Sequence, residues 1–232
     1  MKQRALVSGG NKGIGLEVTK SLIALGHDVI VVARDFSHFA LAEHKQVTTV
    51  VYDLSNISGL AALVASLEPI DILINNAGVM FSLPFNAYGE NKKDAILKLN
   101  LESPVKLIEL ISEGMIQRGG GRIVNNASIA GQIGHPDIWY GMTKAALINA
   151  TKSFAKIFGE HIVINAVAPS PVDTDMQKVN SKERKEAFLK TVISKRFATA
   201  KEVADTIVWL ATDAPEYING SCIDINNGSF PR

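Results

Sequence analysis

The chain of 232 residues has a single cysteine, no excess of charge of either sign and no long apolar run. One cysteine cannot form an internal disulfide, which argues against a disulfide-stabilised secreted domain and favours a reducing cytoplasm. Cys222 lies in an apolar, strand-like run, where a structural role is favoured over a nucleophilic one. The net charge of +1 gives no basic field for nucleic acid, and no segment has the ~18 apolar residues of a membrane span. The five histidines form no cluster at metal-ligand spacing. We therefore expect a soluble cytoplasmic protein that acts on small molecules, with no metal, nucleic acid or membrane as its partner.

Apolar and amphipathic segments alternate along the chain, and apolar residues make up 47% of it. Short runs rich in Val and Ile predict buried strands over residues 5–7, 29–33, 47–52, 70–74, 122–126, 162–167 and 222–225. Apolar residues at three- and four-residue spacing predict helices over residues 13–25, 57–67, 91–115, 139–158, 181–190 and 201–211. The alternation predicts an α/β, Rossmann-type doubly wound fold, with a seven-stranded, mostly parallel sheet and helices on both faces.

Nothing in the sequence marks a domain boundary, so we expect a single domain over residues 1–232. Residues 170–200 are more polar than the rest and hold one amphipathic helix between two loops, which is suited to a lid over a site. The mixed charges of this segment are typical of a solvated helix face: Lys178, Lys182, Glu183, Arg184, Lys185 and Glu186.

A glycine turn, Ser8-Gly-Gly-Asn-Lys-Gly-Ile-Gly15, follows the first predicted strand and opens the first predicted helix. Glycines at such a junction let backbone amides approach a pyrophosphate at the positive end of the helix. Their spacing differs from G-x-G-x-x-G, and glycines that serve only sheet packing are the alternative. The candidate phosphate-binding residues are Gly9, Asn11, Lys12, Gly13, Ile14 and Gly15.

Arg34 follows the second predicted strand. At this place an acidic residue binds the ribose 2′-hydroxyl of NAD, whereas a cation accepts the 2′-phosphate of NADP. Lys12, in the glycine turn, lies near the same pocket, so two cations could converge on that phosphate. We therefore predict NADP(H) as the cofactor. Asp35 keeps open the alternative in which Arg34 merely solvates a loop.

Tyr140 and Lys144 stand four residues apart and share one face of a predicted helix. A phenol titrates near pH ~10, so it needs a nearby positive charge to act as an acid-base catalyst at neutral pH. Lys144 can lower the pKa of Tyr140 directly or through the ribose of a bound cofactor. Carbonyl reduction also needs hydrogen-bond donors at the developing oxyanion, and Ser128 and Tyr140 can supply them. Taken singly, Ser128 could be a loop cap and Tyr140 an aromatic anchor.

Three further motifs complete an ordered set: Tyr52-Asp-Leu54, Asn75-Asn-Ala-Gly78 and Asn100 in Leu97-Lys-Leu-Asn100. Together with the glycine turn, Ser128, Tyr140 and Lys144, they resemble the classical short-chain dehydrogenases/reductases over essentially the whole chain. The resemblance implies an oxidoreductase that moves a hydride between the nicotinamide and a carbonyl or alcohol substrate.

The resemblance also implies the role of each site residue. Tyr140 transfers the proton, Ser128 polarises the substrate carbonyl, and Lys144 binds the ribose and stabilises the Tyr140 anion. Asn100 shapes its helix so that the backbone positions a relay water, and Asp53 binds the adenine amino group. The other residues implied to bind the cofactor are Leu54, Asn76, Ala77, Gly78, Pro169, Val172 and Thr174.

Some positions depart from the family pattern. Pro169-Ser-Pro171 stands where the family has Pro-Gly, which puts in doubt the backbone turn that faces the nicotinamide, since Pro171 disfavours helical geometry at Ser170. Ser128 also precedes Tyr140 by one residue fewer than is usual. His135 lies in that shortened gap, and we interpret it as a loop residue rather than a catalytic base.

Within the family the chain most resembles bacterial 3-oxoacyl-(acyl-carrier-protein) reductases. The residues that carry this resemblance are Thr174-Asp-Met176, Lys195-Arg-Phe197 and Tyr217-Ile-Asn-Gly220. This implies an acyl-thioester substrate and acyl carrier protein as a candidate partner, docked by Lys178 and Arg118. Reduction of another small ketone, aldehyde or sugar is the alternative. A catalytically silent NADP sensor or scaffold is a third hypothesis, against which the intact set of Asn100, Ser128, Tyr140 and Lys144 argues.

The resemblance finally implies a homo-oligomer, a dimer or a tetramer, that pairs through the helices over residues 91–115 and 139–158. Leu101, Val105, Leu147 and Phe154 could supply the apolar surface, although the same residues could belong to the core of one chain.

Overall fold

The computed structural model describes residues 2–231 as alternating strands and helices. The strands are β1 (Arg4–Ser8), β2 (Asp28–Ala33), β3 (Val47–Val51), β4 (Ile72–Asn75), β5 (Gly121–Asn126), β6 (Ile162–Pro169) and β7 (Cys222–Ile225). The helices are α1 (Gly13–Ala24), α2 (Leu60–Ala65), α3 (Glu90–Leu97), α4 (Ser103–Gln117), α5 (Ile138–Phe158), α6 (Lys182–Thr191) and α7 (Ala200–Thr212). Every predicted strand is present, and its ends lie within two residues of the prediction.

The seven strands form one sheet in the order β3-β2-β1-β4-β5-β6-β7, and every neighbouring pair is parallel. The Rossmann-type prediction is confirmed. One part of it is wrong: the strand predicted over residues 47–52 is not buried. Because β3 is an edge strand, its residues are only half-buried or exposed, and Val51 is 72% exposed. The other edge strand, β7, is half-buried throughout.

Helices cover both faces of the sheet. Alternate residues along each strand point to opposite faces, and the buried side chains accordingly fall into two large clusters. On one face α1 and α7 pack over the strands through Val18, Leu22, Val203 and Ile207, together with Val7, Val31 and Ile74. On the other face α2 and α4 pack through Leu60, Leu107, Ile108 and Ile111, together with Leu6, Val32 and Leu73.

The helix predicted over residues 91–115 is divided, so the prediction of one continuous α-helix is wrong. A π-helical turn, Lys98–Glu102, joins α3 to α4. Pro104, in the first turn of α4, has no amide hydrogen to give to the carbonyl four residues earlier, which favours a wider turn there. The wider turn directs the buried Asn100 side chain at the backbone of Val79.

Part of the apolar surface predicted for oligomerisation belongs to the core of one chain. Leu147 is only 2% exposed, and Phe154 stacks on Phe158 at 5.3 Å while packing against the core. The exposed apolar residues on α4 and α5 include Ile116, Met142 and Ile157. Within residues 2–231, no helix combines the length and the apolar content needed to cross a membrane.

Candidate active site

A cleft of about 930 Å³ opens at the carboxyl ends of the central strands. β1 and β4 are neighbours in the sheet, but the helices that follow them pack on opposite faces. Such a switch point is where open parallel sheets hold their ligands. Every residue predicted for the site lines this cleft except Gly15 and Asn100, which support it from behind.

The glycine turn forms one end of the cleft. Gly9 and Gly13 have φ angles of +65° and +53°, which favour glycine, and a Cβ on Gly15 would clash with the carbonyl oxygen of Gly9. No side chain caps the amino end of α1, and no acidic residue lies in its first turn. The backbone N–H groups at this positive helix end are therefore not compensated by the chain itself, which fits an anionic phosphate group.

Hydrogen bonds fix the strand ends beneath this turn. The Ser8 hydroxyl accepts from the amides of Asn76 and Ala77, at 2.9 and 3.0 Å. The Asn76 side chain donates to the carbonyls of Ser8 and Gly9 and accepts from Asn126 at 3.0 Å. These bonds tie β1, β4 and β5 together where they border the cleft.

Ser128 follows β5 and is 9% exposed. Its hydroxyl accepts from the amide of Ala130 at 3.1 Å, so Ser128 caps a short 3₁₀ turn, which is the alternative role that the sequence left open. It also donates to the carbonyl of Pro169 at 3.5 Å, and its proximity to Tyr140 acts to lower the pKa of that phenol. Ser128 therefore both supports a loop and faces the cleft.

Tyr140 and Lys144 are buried on one face of α5. Burial raises the pKa of Tyr140 to about 12, against the lowering effect of Ser128, and burial lowers the pKa of Lys144 to about 8. The Lys144 ammonium donates to the carbonyl of Asn126 at 2.7 Å and lies 5.8 Å from the centre of the Tyr140 ring. The expected direct lowering of the Tyr140 pKa by Lys144 is therefore not found, because desolvation dominates both groups. The other expected route, in which Lys144 lowers the pKa of Tyr140 through the ribose of a bound cofactor, stays a prediction.

Asp137 positions Tyr140 from the start of α5. Its fully buried carboxylate accepts from the amide of Tyr140 at 3.1 Å, from the hydroxyl of Tyr88 at 2.6 Å and from the amide of Ser82 at 2.8 Å. Burial and this carboxylate raise the pKa of Tyr88, so its hydroxyl stays a donor. Sequence reasoning missed Asp137: its cap on the amide of Tyr140 is a local signal, whereas Ser82 and Tyr88 lie about 50 residues away in the chain.

Asn100 lies behind the cleft and is 1% exposed. Its carboxamide accepts from the amide of Val79 at 2.8 Å and donates to the carbonyl of Val79 at 2.9 Å. A Cβ on Gly78 would lie 3.3 Å from the Asn100 oxygen and 3.8 Å from the Lys144 nitrogen. Asn100 thus holds the loop after β4 against the ammonium of Lys144.

Charged residues surround the other end of the cleft, beyond β2. Arg34 is exposed and lines this end, as does His38, which the sequence did not single out. Lys12 is exposed and lines the same cleft, near enough to Asp175 to act on its pKa. The Asp35 carboxylate accepts from the amide and hydroxyl of Ser37 at 2.9 and 2.8 Å, and these bonds lower its pKa. Both oxygens of Asp35 are therefore engaged in its own turn.

Two neighbouring positions complete that end of the cleft. The Asn11 side chain donates to the backbone carbonyl of Asp35 at 2.8 Å, which links the glycine turn to the end of β2. The Asp53 carboxylate accepts from the amide and hydroxyl of Ser55, and these bonds help to lower its pKa, as does the charge of Arg34. Asp53 is therefore an anionic acceptor at the cleft.

The segment after β6 forms the wall opposite the glycine turn. The amide of Ser170 donates to the carbonyl of Ile225 at 2.9 Å, so the departure from Pro-Gly leaves the backbone anchored to β7. Val172 is buried and pairs in a short parallel bridge with Ala198. A Cβ on Gly13 would lie 3.5 Å from Thr174, which shows how closely this wall approaches the glycine turn.

The helix predicted over residues 181–190 is present as α6, but it is not only a solvated face. Arg184 is half-buried, and its guanidinium donates to the Ser82 hydroxyl and contacts His135 Nε2 at 2.7 Å. His135 is a loop residue, as predicted, and its ring lies 5.4 Å from that of Tyr140. Burial, and then the charge of Arg184, lower the pKa of His135. No spacing in the sequence reveals these contacts, since they join residues 49 and 102 positions apart.

The two cations predicted to dock a carrier protein do not lie together. Lys178 is exposed near the lid and pairs with Asp175 at 2.5 Å. Arg118 donates to the carbonyl of Ile70, before the start of β4, and so lies at the opposite edge of the sheet from the cleft. Within one chain Arg118 is therefore separated from Lys178 and from the cleft, because β4 and α4 run in directions that place the end of α4 at the amino edge of the sheet.

Comparison with known proteins agrees with this geometry. A model of the family described as short chain dehydrogenase matches residues 3–185. The chain belongs to the short-chain dehydrogenase family. The match includes the glycine turn, Asn100, Ser128, Tyr140 and Lys144, and about half of the predicted lid.

Individual relatives of this short-chain dehydrogenase cover nearly its whole length. The chain is 34% identical to L-xylulose reductase of Bos taurus, over 97% of this chain and 96% of the relative. It is 31% identical to the 3-oxoacyl-(acyl-carrier-protein) reductase FabG of Escherichia coli (strain K12), again over 97% and 96%. The solved structure of 4-hydroxyisoleucine dehydrogenase complexed with NADH superposes with a TM-score of 0.91 at 25% identity, and 98% of each chain is covered.

These relationships make the protein an oxidoreductase that uses a nicotinamide cofactor, NAD(P)(H). The site fits such a cofactor on its own features: an uncapped helix end beside a glycine turn, a buried ammonium, and an anionic acceptor at Asp53. The family alone does not select NAD or NADP, and the relatives reduce or oxidise different substrates.

Proposed function

We propose that this short-chain dehydrogenase is an NADP(H)-dependent carbonyl reductase whose catalytic residues are Asn100, Ser128, Tyr140 and Lys144. The observation that carries the proposal is the shared burial of Ser128, Tyr140 and Lys144 at the switch-point cleft, with Ser128 close enough to Tyr140 to act on the pKa of its phenol. The reduced nicotinamide, when bound, supplies the hydride that reaches the carbonyl carbon.

Tyr140 gives its phenolic proton to the substrate oxygen as that oxygen gains negative charge. Ser128 donates a hydrogen bond to the same oxygen, so two donors stabilise the oxyanion in a site shielded from water. In the opposite direction, alcohol oxidation, Tyr140 accepts the proton. Since its pKa is about 12 in the protein alone, the phenol is protonated and ready to donate at neutral pH.

Lys144 has a second task besides its bond to Asn126. Only one of its three N–H donors is used in that bond, so the others are available to ribose hydroxyls in the cleft. Asn100 is a positioning residue, because it fixes Val79 and Gly78 beside the ammonium. Lys144 and Asn100 thus shape the part of the cleft in which the cofactor and the substrate face Tyr140.

Preference for NADP(H) is supported by the rim beyond β2. Arg34 lies at this end and Lys12 lines the same cleft; both are exposed cations, and neither forms an ion pair within residues 2–231. Asp35, the residue that would favour NAD, has both carboxylate oxygens bonded to Ser37. A 2′-phosphate would therefore meet two available cations rather than a free carboxylate.

The substrate is a small carbonyl compound, and a 3-oxoacyl thioester is one candidate, supported by the likeness to FabG. A sugar or another ketone is supported equally by the likeness to L-xylulose reductase. Docking of an acyl carrier protein would depend on the exposed Lys178, without Arg118. Pairing of the chain through α4 and α5 into a cytoplasmic homodimer or homotetramer is supported by the exposed Ile116, Met142 and Ile157.

The direct test is the initial rate of NADPH oxidation at 340 nm with acetoacetyl thioester and with a panel of ketones and sugars. NADH is assayed in parallel, and Tyr140→Phe is the matched variant because it removes only the hydroxyl. We expect turnover with NADPH that falls by at least about 100-fold in Tyr140→Phe, since proton transfer contributes roughly 10²–10⁴-fold.

Each result separates the hypotheses. Undiminished turnover in Tyr140→Phe would contradict the role of Tyr140. Tight NADPH binding with no turnover on any carbonyl compound would instead support the catalytically silent sensor.

A further inference from the structure

The lid helix places a cation inside the cleft. Arg184, in the first turn of α6, lines the cleft and is half-buried, whereas most charged side chains of the lid are exposed. Its guanidinium bonds the hydroxyl of Ser82 and the Nε2 atom of His135, both of which belong to loops that border the cleft. Arg184 is therefore held against the body of the protein.

Its bonded partners are neutral. The pKa of His135 is lowered by burial and by the arginine itself, so its imidazole is uncharged at pH 7 and Nε2 accepts from Arg184. No carboxylate lies within 4 Å of Arg184 among residues 2–231, as the ion pairs of this region involve other residues. The two bonds use two of the five N–H donors of a guanidinium, and the others are available.

The nearest acid does not neutralise this charge by contact. Asp137 acts on Arg184 electrostatically, but its fully buried carboxylate is already bonded to Ser82, Tyr88 and Tyr140. Arg184 thus remains a partly desolvated cation without an anionic partner. Such a cation is costly unless an anion completes it.

The position of Arg184 relative to Tyr140 indicates which anion would neutralise its charge. His135 bridges the two, since its Nε2 contacts Arg184 and its ring lies 5.4 Å from the ring of Tyr140. An anionic group on Arg184 and a carbonyl oxygen at Tyr140 can therefore belong to one small molecule. The remaining neighbours on the lid side of the cleft include apolar ones, Met176, Ala187 and Phe188, which do not compete for the anion.

We propose that Arg184 binds a carboxylate of the substrate, so that the compound reduced at Tyr140 is a small oxo acid and the product is the hydroxy acid. This inference rests on the proposed function and narrows its substrate class. The carboxylate takes no part in the chemistry: it orients the carbonyl and draws α6 over the cleft. A planar guanidinium suits this task because it can donate two parallel hydrogen bonds to one carboxylate.

The test compares acids with their neutral esters, which differ in charge and little else in shape. Acetoacetate and levulinate are assayed beside methyl acetoacetate and methyl levulinate, with NADPH and with NADH. Arg184→Gln is compared with Arg184→Lys, and with Lys182→Gln as a control on the same helix, since Lys182 is exposed and does not line the cleft.

We expect the wild type to prefer an acid over its ester, and we expect Arg184→Gln to lower kcat/KM for the acid by about 10- to 100-fold. The same variant should leave the ester within about threefold, and Lys182→Gln should change neither. Arg184→Lys should recover part of the acid rate, because it keeps the charge but loses the fork.

Equal losses on acid and ester in Arg184→Gln would show that Arg184 only holds the lid, and would overturn the inference. A wild type that prefers the ester would overturn it as well. These outcomes leave the proposed function intact, because the ester is still reduced. Absence of turnover on every compound would contradict the proposed function. Calorimetric titration of levulinate into the NADP⁺-bound protein would then test the inference separately. Binding that is lost in Arg184→Gln is expected, and binding that is absent or does not depend on Arg184 would overturn the inference.

Discussion

At the scale of single residues, the site depends on buried groups that are costly to the fold. Lys144 is 5% exposed, and its ammonium donates to the neutral carbonyl of Asn126. Its pKa is about 8 in the folded protein and 10.5 without the protein around it. The folded state therefore binds fewer protons than the unfolded state between these pH values, so stability rises with pH across that window. At pH 7 the penalty for the buried charge is fully present.

Replacing Lys144 by Met should accordingly stabilise the cofactor-free protein at pH 7 while abolishing its activity. The expected gain in the free energy of unfolding is on the order of 1 to 3 kcal/mol, because the lost bond to Asn126 offsets part of the relief. Urea unfolding of both proteins at pH 7 and above pH 10 measures it, and the gain should shrink at the higher pH. A destabilised Lys144→Met protein at pH 7 would contradict this account of the ammonium.

At the scale of elements, α6 is joined to the loop before α5 through one titratable contact. Arg184 on α6 contacts Nε2 of His135, and Asp137 and Tyr140 face the same imidazole. Burial and the charge of Arg184 lower the pKa of His135 below 6.5. A histidine whose pKa is lowered by folding favours the folded state when neutral, so stability is lost as the pH falls through 6.5.

His135→Gln should remove this part of the acid sensitivity, because glutamine keeps an acceptor for Arg184 but does not titrate near neutrality. Thermal unfolding at pH 7.5 and pH 5 should show a smaller loss of Tm in His135→Gln than in the wild type. His27 also has a lowered pKa, but it is present in both proteins and cancels in the comparison. The same loss in both proteins would show that the contact with Arg184 does not depend on a neutral His135.

Elements that repeat a local pattern could be predicted from the sequence, and contacts between distant segments could not. The helices and strands follow hydrophobic periodicity, so the predicted ends lie within a few residues of those in the structure. Tyr140 and Lys144 lie on one helix face, as their four-residue spacing predicts. The π-helical turn before Pro104 does not follow from hydrophobic periodicity, and the contact it allows, between Asn100 and Val79, joins residues 21 positions apart. The mixed charges around Arg184 predict a solvated residue, because its partners, Ser82 and His135, are distant in the chain and leave no local pattern.

At the scale of the whole molecule, one parallel sheet brings the carboxyl ends of β1, β2, β4, β5 and β6 to a single cleft. Arg34 lines this cleft at the end of β2 and Arg184 lines it from the lid helix α6, and the cleft also includes Tyr140 and Lys144. This arrangement fits a phosphate-bearing cofactor at the Arg34 end of the cleft and a substrate at the Arg184 end. The central claim is that this cofactor is NADP(H).

Fluorescence titration with NADPH and NADH tests that claim most directly, using the wild type, Arg34→Ala and, as a matched control, Lys106→Gln on the exposed side of α4. The account predicts tighter binding of NADPH than of NADH by the wild type, and a loss of about tenfold for NADPH but not for NADH in Arg34→Ala, a value kept small because Arg34 is exposed. Lys106→Gln should bind both as the wild type does. Tighter binding of NADH by the wild type, or an Arg34→Ala protein with unchanged NADPH affinity, would contradict it.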